Sequence, residues 1–388
     1  MLDVAKTLVA LEEKRDGFSA NELARREVLS TLNRALEDLA SLSYAEVTAR
    51  LAPLDRPGAR PTVEQDQSAS ALIPFGQRWD NHRQAREWAL DILEGVPTFA
   101  VDGSQISPSR DFSIPVGIVQ VGWFENLHRR DGGYVKDIAV EVLPPGELSE
   151  DEGQESGYPD WKINWRRFEM ETDRIVSYME ARADADPRPL CLFDGSFVLS
   201  FVQLMQPERQ RRYVDAVARM LITSERTGVP LVGYVDTSYA NDLTSMLVNL
   251  FALEVGERVG DPALLRPRMS WGDRSQVYVC ARDDAVLDRY YERICFTYLK
   301  TTAANPPVRV EFPRWLFESG GHESTLDLVR AECVVGNGYP YVVETADAVA
   351  VLSMQDRERF YRLFQQFAER QGLPLHFSRK TLSKLSRR

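Results

Sequence analysis

Two Asp-Gly-Ser triplets are the residues in this sequence best suited to carry out chemistry. A mainly apolar run over residues 96–101 precedes the triplet that begins at Asp102, and an apolar run over residues 190–193 precedes the one that begins at Asp194. A short apolar run predicts a buried strand and the glycine permits a sharp turn, so we expect each aspartate at the carboxyl end of a strand. Two carboxylates that converge at one sheet edge require a cation between them or a shared proton. One Asp-Gly alone indicates an ordinary turn, but two copies after matching runs favour a single metal site.

A site of this kind could hydrolyse phosphodiesters. Two divalent cations held about 3.5–4 Å apart activate a water molecule and stabilise the leaving oxygen. Asp102 and Asp194 would supply the bridging pair, and we expect a third acid from the helix predicted between them. The acids available on that helix are Glu169, Glu171, Asp173 and Glu180. Glu171 and Glu169 lie on opposite flanks of the apolar stripe of the helix, so position alone cannot decide between them; we prefer Glu171, and Glu169 stays open as the alternative.

The elements that must position these acids follow from hydrophobic periodicity. The pattern predicts strands that end at Asp102 and cover residues 114–123 and 134–143, a helix over 161–183, a strand that ends at Asp194, a helix over 207–226, a strand over 230–235 and a helix over 240–253. This order matches an α/β fold of the ribonuclease H-like type, which has a mixed sheet flanked by helices. In that fold the first and fourth strands are parallel neighbours, which would bring Asp102 and Asp194 together.

The N-terminal part of the sequence has a different pattern. Apolar residues recur at three-to-four spacing over residues 2–54, which predicts an N-terminal helical arm. Pro53, Pro57 and Pro61 then interrupt the pattern and indicate a linker or an extended crossing. We therefore predict a helical arm and linker over residues 1–93 and a nuclease domain with a ribonuclease H-like fold over residues 94–388.

Composition bounds the class of protein. The chain has 388 residues, of which 44% are hydrophobic, and a formal net charge of -11. No apolar stretch approaches the roughly 20 residues of a membrane helix, and the start is too charged for a secretory signal. We expect a cytoplasmic location and no membrane partner. Four scattered cysteines without a CxxC pair are interpreted as reduced core residues: Cys191, Cys280, Cys295 and Cys333.

The negative net charge argues against nucleic-acid binding through bulk charge, but it leaves local basic surfaces open. One such group, on a predicted helix, consists of Arg209, Arg211, Arg212 and Arg219. The other is the segment 379–388, with five basic residues and no acidic one. Each is interpreted either as a solvated face or tail or as a DNA contact.

Between about residues 99 and 352 the sequence resembles the NurA family of nucleases. The resemblance rests on six motifs in the family's order: VDGSQ at 101–105, LFDGSF at 192–197, GDR at 272–274, and residues 294–300, 308–313 and 338–341. It implies a ribonuclease H-like nuclease that cuts DNA with Mn²⁺, with Mg²⁺ possible, as a 5′ to 3′ exonuclease and single-strand endonuclease. It also implies a homodimer that acts at DNA ends, in resection or repair, with the hexameric ATPase HerA.

The resemblance also assigns residues. It implies that Asp102 and Asp194 are the strand acids, Glu171 the helix acid and Tyr339 the active-site tyrosine. The family usually has a His eight residues after that Tyr, where this chain has Asp347. A hard cation such as Mn²⁺ or Mg²⁺ accepts an anionic oxygen ligand, so we expect Asp347 to act as a fourth acid and activity to be retained. Loss of function at this position is the alternative.

Two other functions stay open. Asp347 could mark a catalytically degenerate adaptor of the same fold that only binds DNA or a motor. A phosphotransferase with an actin-like fold also places Asp-Gly motifs at strand ends, but the glycines at 336 and 338 are its only candidate adenosine loop. The sequence has no GxxxxGK[ST] motif, so it supports neither an ATP site nor a motor within this chain.

Overall fold

The structure is a computed structural model that describes residues 2–109, 112–149, 160–282 and 290–376. These residues form two compact units. The first comprises the described parts of Met1–Asp80 and Tyr234–Glu318, and the second those of Asn81–Gly233 and Ser319–Arg388. The predicted division into residues 1–93 and 94–388 stays a prediction. The basic segment 379–388 lies outside the described residues.

The first unit begins with the elements α1 (Val4–Glu12), α2 (Arg15–Leu39), α3 (Tyr44–Leu51), β1 (Gly58–Pro61), α4 (Glu64–Gln67) and β2 (Leu72–Ile73). The helices confirm the helical pattern predicted for residues 2–54. Leu32, Leu36 and Leu39 lie on one face of α2 and are buried, as three-to-four spacing requires. The apolar side chains of α1 are exposed, and none of its residues is buried.

The second unit contains the predicted meander and its helices. Its elements are α5 (His82–Leu93), β3 (Thr98–Ile106), β4 (Gly117–Asn126), β5 (Tyr134–Leu143), α6 (Pro145–Leu148), α7 (Asp160–Ala181), β6 (Leu190–Asp194), α8 (Pro207–Thr227) and, as far as residue 233, β7 (Leu231–Val235). Strand β4 is antiparallel to β3 and β5, whereas β6 is parallel to β3. The ribonuclease H-like mixed sheet flanked by helices is thus confirmed.

The chain continues in the first unit with α9 (Asp242–Leu250), α10 (Asp261–Leu265), β8 (Arg274–Ser275), β9 (Tyr278–Ala281), β10 (Ile294–Leu299), β11 (Val308–Pro313) and α11 (Arg314–Glu318). Strand β10 is antiparallel to β9 and β11, and β1 is antiparallel to β9. The segment interpreted as a linker or an extended crossing therefore contributes a paired strand to this unit.

Three helices complete the second unit: α12 (His322–Val335), α13 (Tyr341–Ala350) and α14 (Met354–Gln371). Helix α12 packs against α5, α7 packs against β3 and α8, and α13 packs against β3 and β4. Strand β3 therefore contacts both α7, which carries Glu171, and α13, which carries Asp347.

Two predictions from composition can be compared with the fold. All four cysteines lie in the described part of the chain, where they are buried and form no disulfide bond, as a reduced core requires. In the part of the chain that the structure describes, no helix combines the length and the apolar character needed to cross a membrane.

Candidate active site

Parallel pairing of β3 with β6 brings the two triplet aspartates side by side. The register runs from Thr98 opposite Leu190 to Val101 opposite Phe193, so Asp102 and Asp194 are the next residues on the two strands. The charge of Asp194 raises the pKa of Asp102, as expected for neighbouring carboxylates.

The predicted position of Asp102 at the end of a strand is wrong. Strand β3 continues to Ile106 because β4 pairs with it along its whole length, so Asp102 lies in the middle of the strand. Asp194 does end β6, and the following Gly195 has a φ of 151°, a conformation that glycine adopts without strain. A sharp turn was predicted after the aspartate of each triplet, but only the second triplet forms one.

Asp347 approaches Asp102 from α13. Asp102 lies opposite Gly122 on β4, and antiparallel partners project to the same face of a sheet. Helix α13 packs closely on that face, because a Cβ atom at Gly122 would lie 2.7 Å from the Ala350 nitrogen. The carboxyl groups of Asp102 and Asp347 are therefore close enough to be in hydrogen-bond contact.

The pKa of Asp102 is raised to about 6. Burial is the largest cause, and the Asp347 hydrogen bond and the charges of Asp347 and Asp194 raise it further. A hydrogen bond from the Gly103 backbone opposes these effects. Asp194 and Asp347 are exposed, so the cluster is accessible from solvent.

Glu171 reaches β3 from α7 at Gly103. Successive residues of a strand face opposite sides, so the missing side chain of Gly103 would point away from the side chain of Asp102. A Cβ atom at Gly103 would lie only 2.3 Å from Glu171 Oε1, which shows that the carboxyl occupies the space of the absent side chain. Glycine at this position therefore provides room for the acid.

Burial is also the main cause that raises the pKa of Glu171, to about 8. Arg167, one turn earlier on α7, opposes the shift, with its Nε atom 3.5 Å from Glu171 Oε1. The charges of Asp102 and Asp194 raise the pKa further. Glu171 therefore shares one electrostatic environment with both strand acids.

The other acids of α7 have different partners. Glu169 forms an ion pair with Arg166 at 2.6 Å, and Arg166 also binds Glu141. The remaining two form ion pairs with α8, Asp173 with Arg219 and Glu180 with Arg226. Of the four acids predicted from sequence, Glu171 is the one that lies beside the strand aspartates.

Tyr339 contacts Asp194 from the turn that precedes α13. Its hydroxyl donates a hydrogen bond of 2.7 Å to Asp194 Oδ1. The turn is tight, because a Cβ atom at Gly336 would lie 2.0 Å from the Tyr339 carbonyl oxygen. The structure thus places all five predicted site residues in one region of the second unit.

Two contacts at the site were missed by sequence reasoning. Ser104, the last residue of the first triplet, accepts a hydrogen bond of 3.1 Å from the Leu352 backbone and ties the segment after α13 to β3. Arg167 was not singled out, although its spacing of four residues from Glu171 is a signal for an ion pair on a helix.

The side chains present fit a hard divalent cation. The acids at the site are Asp102, Glu171, Asp194 and Asp347, which offer only oxygen donors, as Mg²⁺ and Mn²⁺ prefer. Burial raises the pKa of Asp102 and Glu171, and the charges of neighbouring carboxyl groups raise it further, so a bound cation would favour the ionised groups. Among the described residues, no three of these carboxyls bring one oxygen each to within 4.8 Å of one another, so ligation requires side-chain movement.

The basic group predicted on α8 is partly engaged within the protein. Arg212 forms an ion pair with Glu208, and Arg219 pairs with Asp173. The guanidinium of Arg209 lies 4.1 Å from the ring centroid of Trp161. These contacts favour the interpretation of this group as a solvated face.

One family of proteins matches the region that carries the motifs. The sequence matches no functionally curated protein. A crystal structure of NurA with manganese is similar over 70% of this chain and 89% of that one, at 10% identity and a TM-score of 0.41. An Argonaute from Aquifex aeolicus is similar over 67% of this chain and 29% of that one, at 10% identity and a TM-score of 0.26. A family model, the NurA domain, matches residues 96–352, well over half of the chain. The chain belongs to the NurA family.

Proposed function

We propose that this protein is a metal-dependent deoxyribonuclease that hydrolyses phosphodiesters with two divalent cations. The observation that carries the proposal is the convergence of Asp102, Glu171, Asp194 and Asp347 on one part of β3, where burial and mutual repulsion raise the pKa of Asp102 and Glu171. Such a cluster is costly unless cations neutralise it. Manganese is the metal we favour, because it is bound in a related NurA structure.

The residues have separable roles in this proposal. Asp102 and Asp194, adjacent on parallel strands, are suited to hold cations jointly, and Glu171 and Asp347 add oxygen ligands from the two helices. Tyr339 orients the Asp194 carboxylate through its hydroxyl. Bound cations would supply an activated water molecule and stabilisation of the leaving oxygen. Because the pKa values of Asp102 and Glu171 are raised, metal binding by these carboxyls should strengthen as the pH rises.

Membership of the NurA family supports the finer parts of the proposal. We propose 5′ to 3′ exonuclease and single-strand endonuclease activity, a homodimer, a cytoplasmic location and a role in end resection or repair. A HerA-type hexameric ATPase is the proposed partner, because processive degradation of duplex DNA needs a motor and this sequence has no P-loop.

The test is degradation of end-labelled linear DNA with Mn²⁺, Mg²⁺ or EDTA. We expect cleavage by the wild type with Mn²⁺ and none by folded Asp102→Ala or Asp194→Ala. Glu169→Gln is the matched control, because Glu169 lies on α7 but pairs with Arg166. Cleavage at the wild-type rate by Asp194→Ala would contradict the shared site. A folded wild type that binds DNA without cutting it would identify an adaptor instead.

The partner is tested separately. Size measurements on the purified protein should give a dimer, and a mixture with the cognate ATPase should form a larger complex. ATP should then stimulate duplex degradation. A strict monomer would contradict the proposed dimer, and an ATPase that neither co-elutes nor stimulates degradation would contradict the proposed partnership.

A further inference from the structure

Arg167 lies against the backbone of the strand that carries Asp102. Its Nη1 atom donates a hydrogen bond of 3.3 Å to the Gly103 carbonyl, and its Nε atom lies 3.5 Å from Glu171 Oε1. Its Cγ atom would be 2.6 Å from a Cβ atom at Gly103. The glycine of the first triplet therefore admits both the acid and the arginine to the site.

Most of the hydrogen-bonding capacity of Arg167 is unused. A guanidinium has five N–H donors, and within the described residues the only hydrogen bond from Arg167 goes to Gly103. Its Nε atom is buried without a hydrogen-bond partner, while 39% of the side chain is exposed. The preceding residue differs, because Arg166 binds the carboxylates of Glu141 and Glu169.

The carboxyl groups of the site repel an anionic substrate, because a phosphodiester must approach them closely. Arginine is suited to such an approach because its planar guanidinium binds phosphate oxygens in a bidentate manner. We propose that Arg167 contacts a backbone phosphate of the nucleic-acid strand at the active site. This inference rests on the proposed nuclease function and adds a substrate contact to it. The competing role is positioning Glu171 alone.

Binding can be measured separately from cleavage. A fluorescein-labelled thymidine dodecamer is titrated with full-length protein, with Ca²⁺ in place of Mn²⁺, at several salt concentrations. One lost phosphate contact should reduce the slope of log affinity against log salt by about 0.7 for a single strand. We expect this reduction in Arg167→Ala and Arg167→Gln, and a slope nearer to the wild type in Arg167→Lys. Arg166→Ala should keep the wild-type slope.

Kinetics and metal binding distinguish the two roles. With Mn²⁺, Arg167→Gln should raise KM for the oligonucleotide by about tenfold, the value of one modest charged contact. Its Mn²⁺ affinity, measured by calorimetry without DNA, should stay within about threefold of the wild type, less than the change expected on loss of a residue that orients a ligand. Arg167→Lys should recover part of the KM effect.

The outcomes separate this inference from the proposed function. An unchanged salt slope in folded Arg167→Gln overturns the phosphate contact, whether or not the enzyme is active. An altered Mn²⁺ affinity with unchanged oligonucleotide binding assigns Arg167 to positioning and also overturns it. A wild type that binds the oligonucleotide without cutting it refutes nuclease function, while the slopes still decide the contact. A wild type without oligonucleotide affinity refutes both.

Discussion

Glu171→Gln should stabilise the metal-free protein and should do so more strongly at high pH. The substitution keeps the size of a buried side chain and removes its ability to ionise. In the wild type, burial raises the pKa of Glu171 from an ordinary value of 4.5 to about 8. The folded state therefore binds more protons than the unfolded state between these two values, and wild-type stability falls as pH rises through this interval.

The size of the effect follows from that difference in pKa. Ionisation of Glu171 should lower the free energy of unfolding by roughly 1 kcal/mol at pH 5 and by roughly 4 kcal/mol at pH 8. The glutamine variant lacks this contribution. Its stability advantage over the wild type should therefore grow by about 3 kcal/mol between pH 5 and pH 8.

Urea denaturation in EDTA, followed by tryptophan fluorescence, measures this difference at several pH values. Glu169→Gln is the matched control, because Glu169 is partly exposed and paired with Arg166. Its stability difference from the wild type should be small and nearly constant over the same range. If the difference between Glu171→Gln and the wild type does not change with pH, Glu171 is not held in the buried environment that raises its pKa.

Substitutions at three further positions test the site. Gly103→Ala should keep the fold but slow Mn²⁺-dependent cleavage by about 100-fold, because the new methyl group displaces Glu171, and a near wild-type rate would refute the spatial role of this glycine. Tyr339→Phe removes the hydrogen bond to Asp194 and should weaken Mn²⁺ affinity by about tenfold in calorimetry, whereas unchanged affinity would make the contact incidental. Asp347→Ala should lose more activity than Asp347→His, and the His variant should prefer softer cations in a metal-substitution assay. An Asp347→Ala enzyme with unchanged rate and metal dependence would exclude Asp347 from the site.

The sequence predicted the fold of the second unit because its signals there are local and agree with one another. Strand β5 occupies the predicted residues 134–143, and α7 and α8 begin and end within two residues of prediction. Strands β3, β4 and β5 follow one another as a meander, and α7 connects β5 to β6. Few topologies are compatible with this order, and one of them pairs β3 with β6 in parallel, as observed. The pairing of β1 with β9 was not predicted, because it joins residues more than 200 positions apart and neither strand exceeds four residues.

Hydrophobic periodicity also could not decide which acid of α7 belongs to the site. Glu169 and Glu171 flank the same apolar stripe, so helical spacing permits either to face the site. The contacts of the two acids differ. Glu169 pairs with Arg166, which also binds Glu141 on β5, whereas Glu171 occupies the space beside Gly103 on β3. Glu171 was preferred from the sequence and by family resemblance, in both cases without this physical reason.

The two Asp-Gly-Ser triplets show how the same local sequence serves two purposes. Strand β4 pairs with the first triplet, which stays extended, and its glycine makes space for Glu171 and Arg167. The second triplet follows the end of β6, and its glycine turns the chain. Substitution by alanine should therefore have different consequences. At Gly103 the cost comes from a side-chain collision and should fall mainly on activity, whereas at Gly195 it comes from backbone strain and should fall mainly on stability.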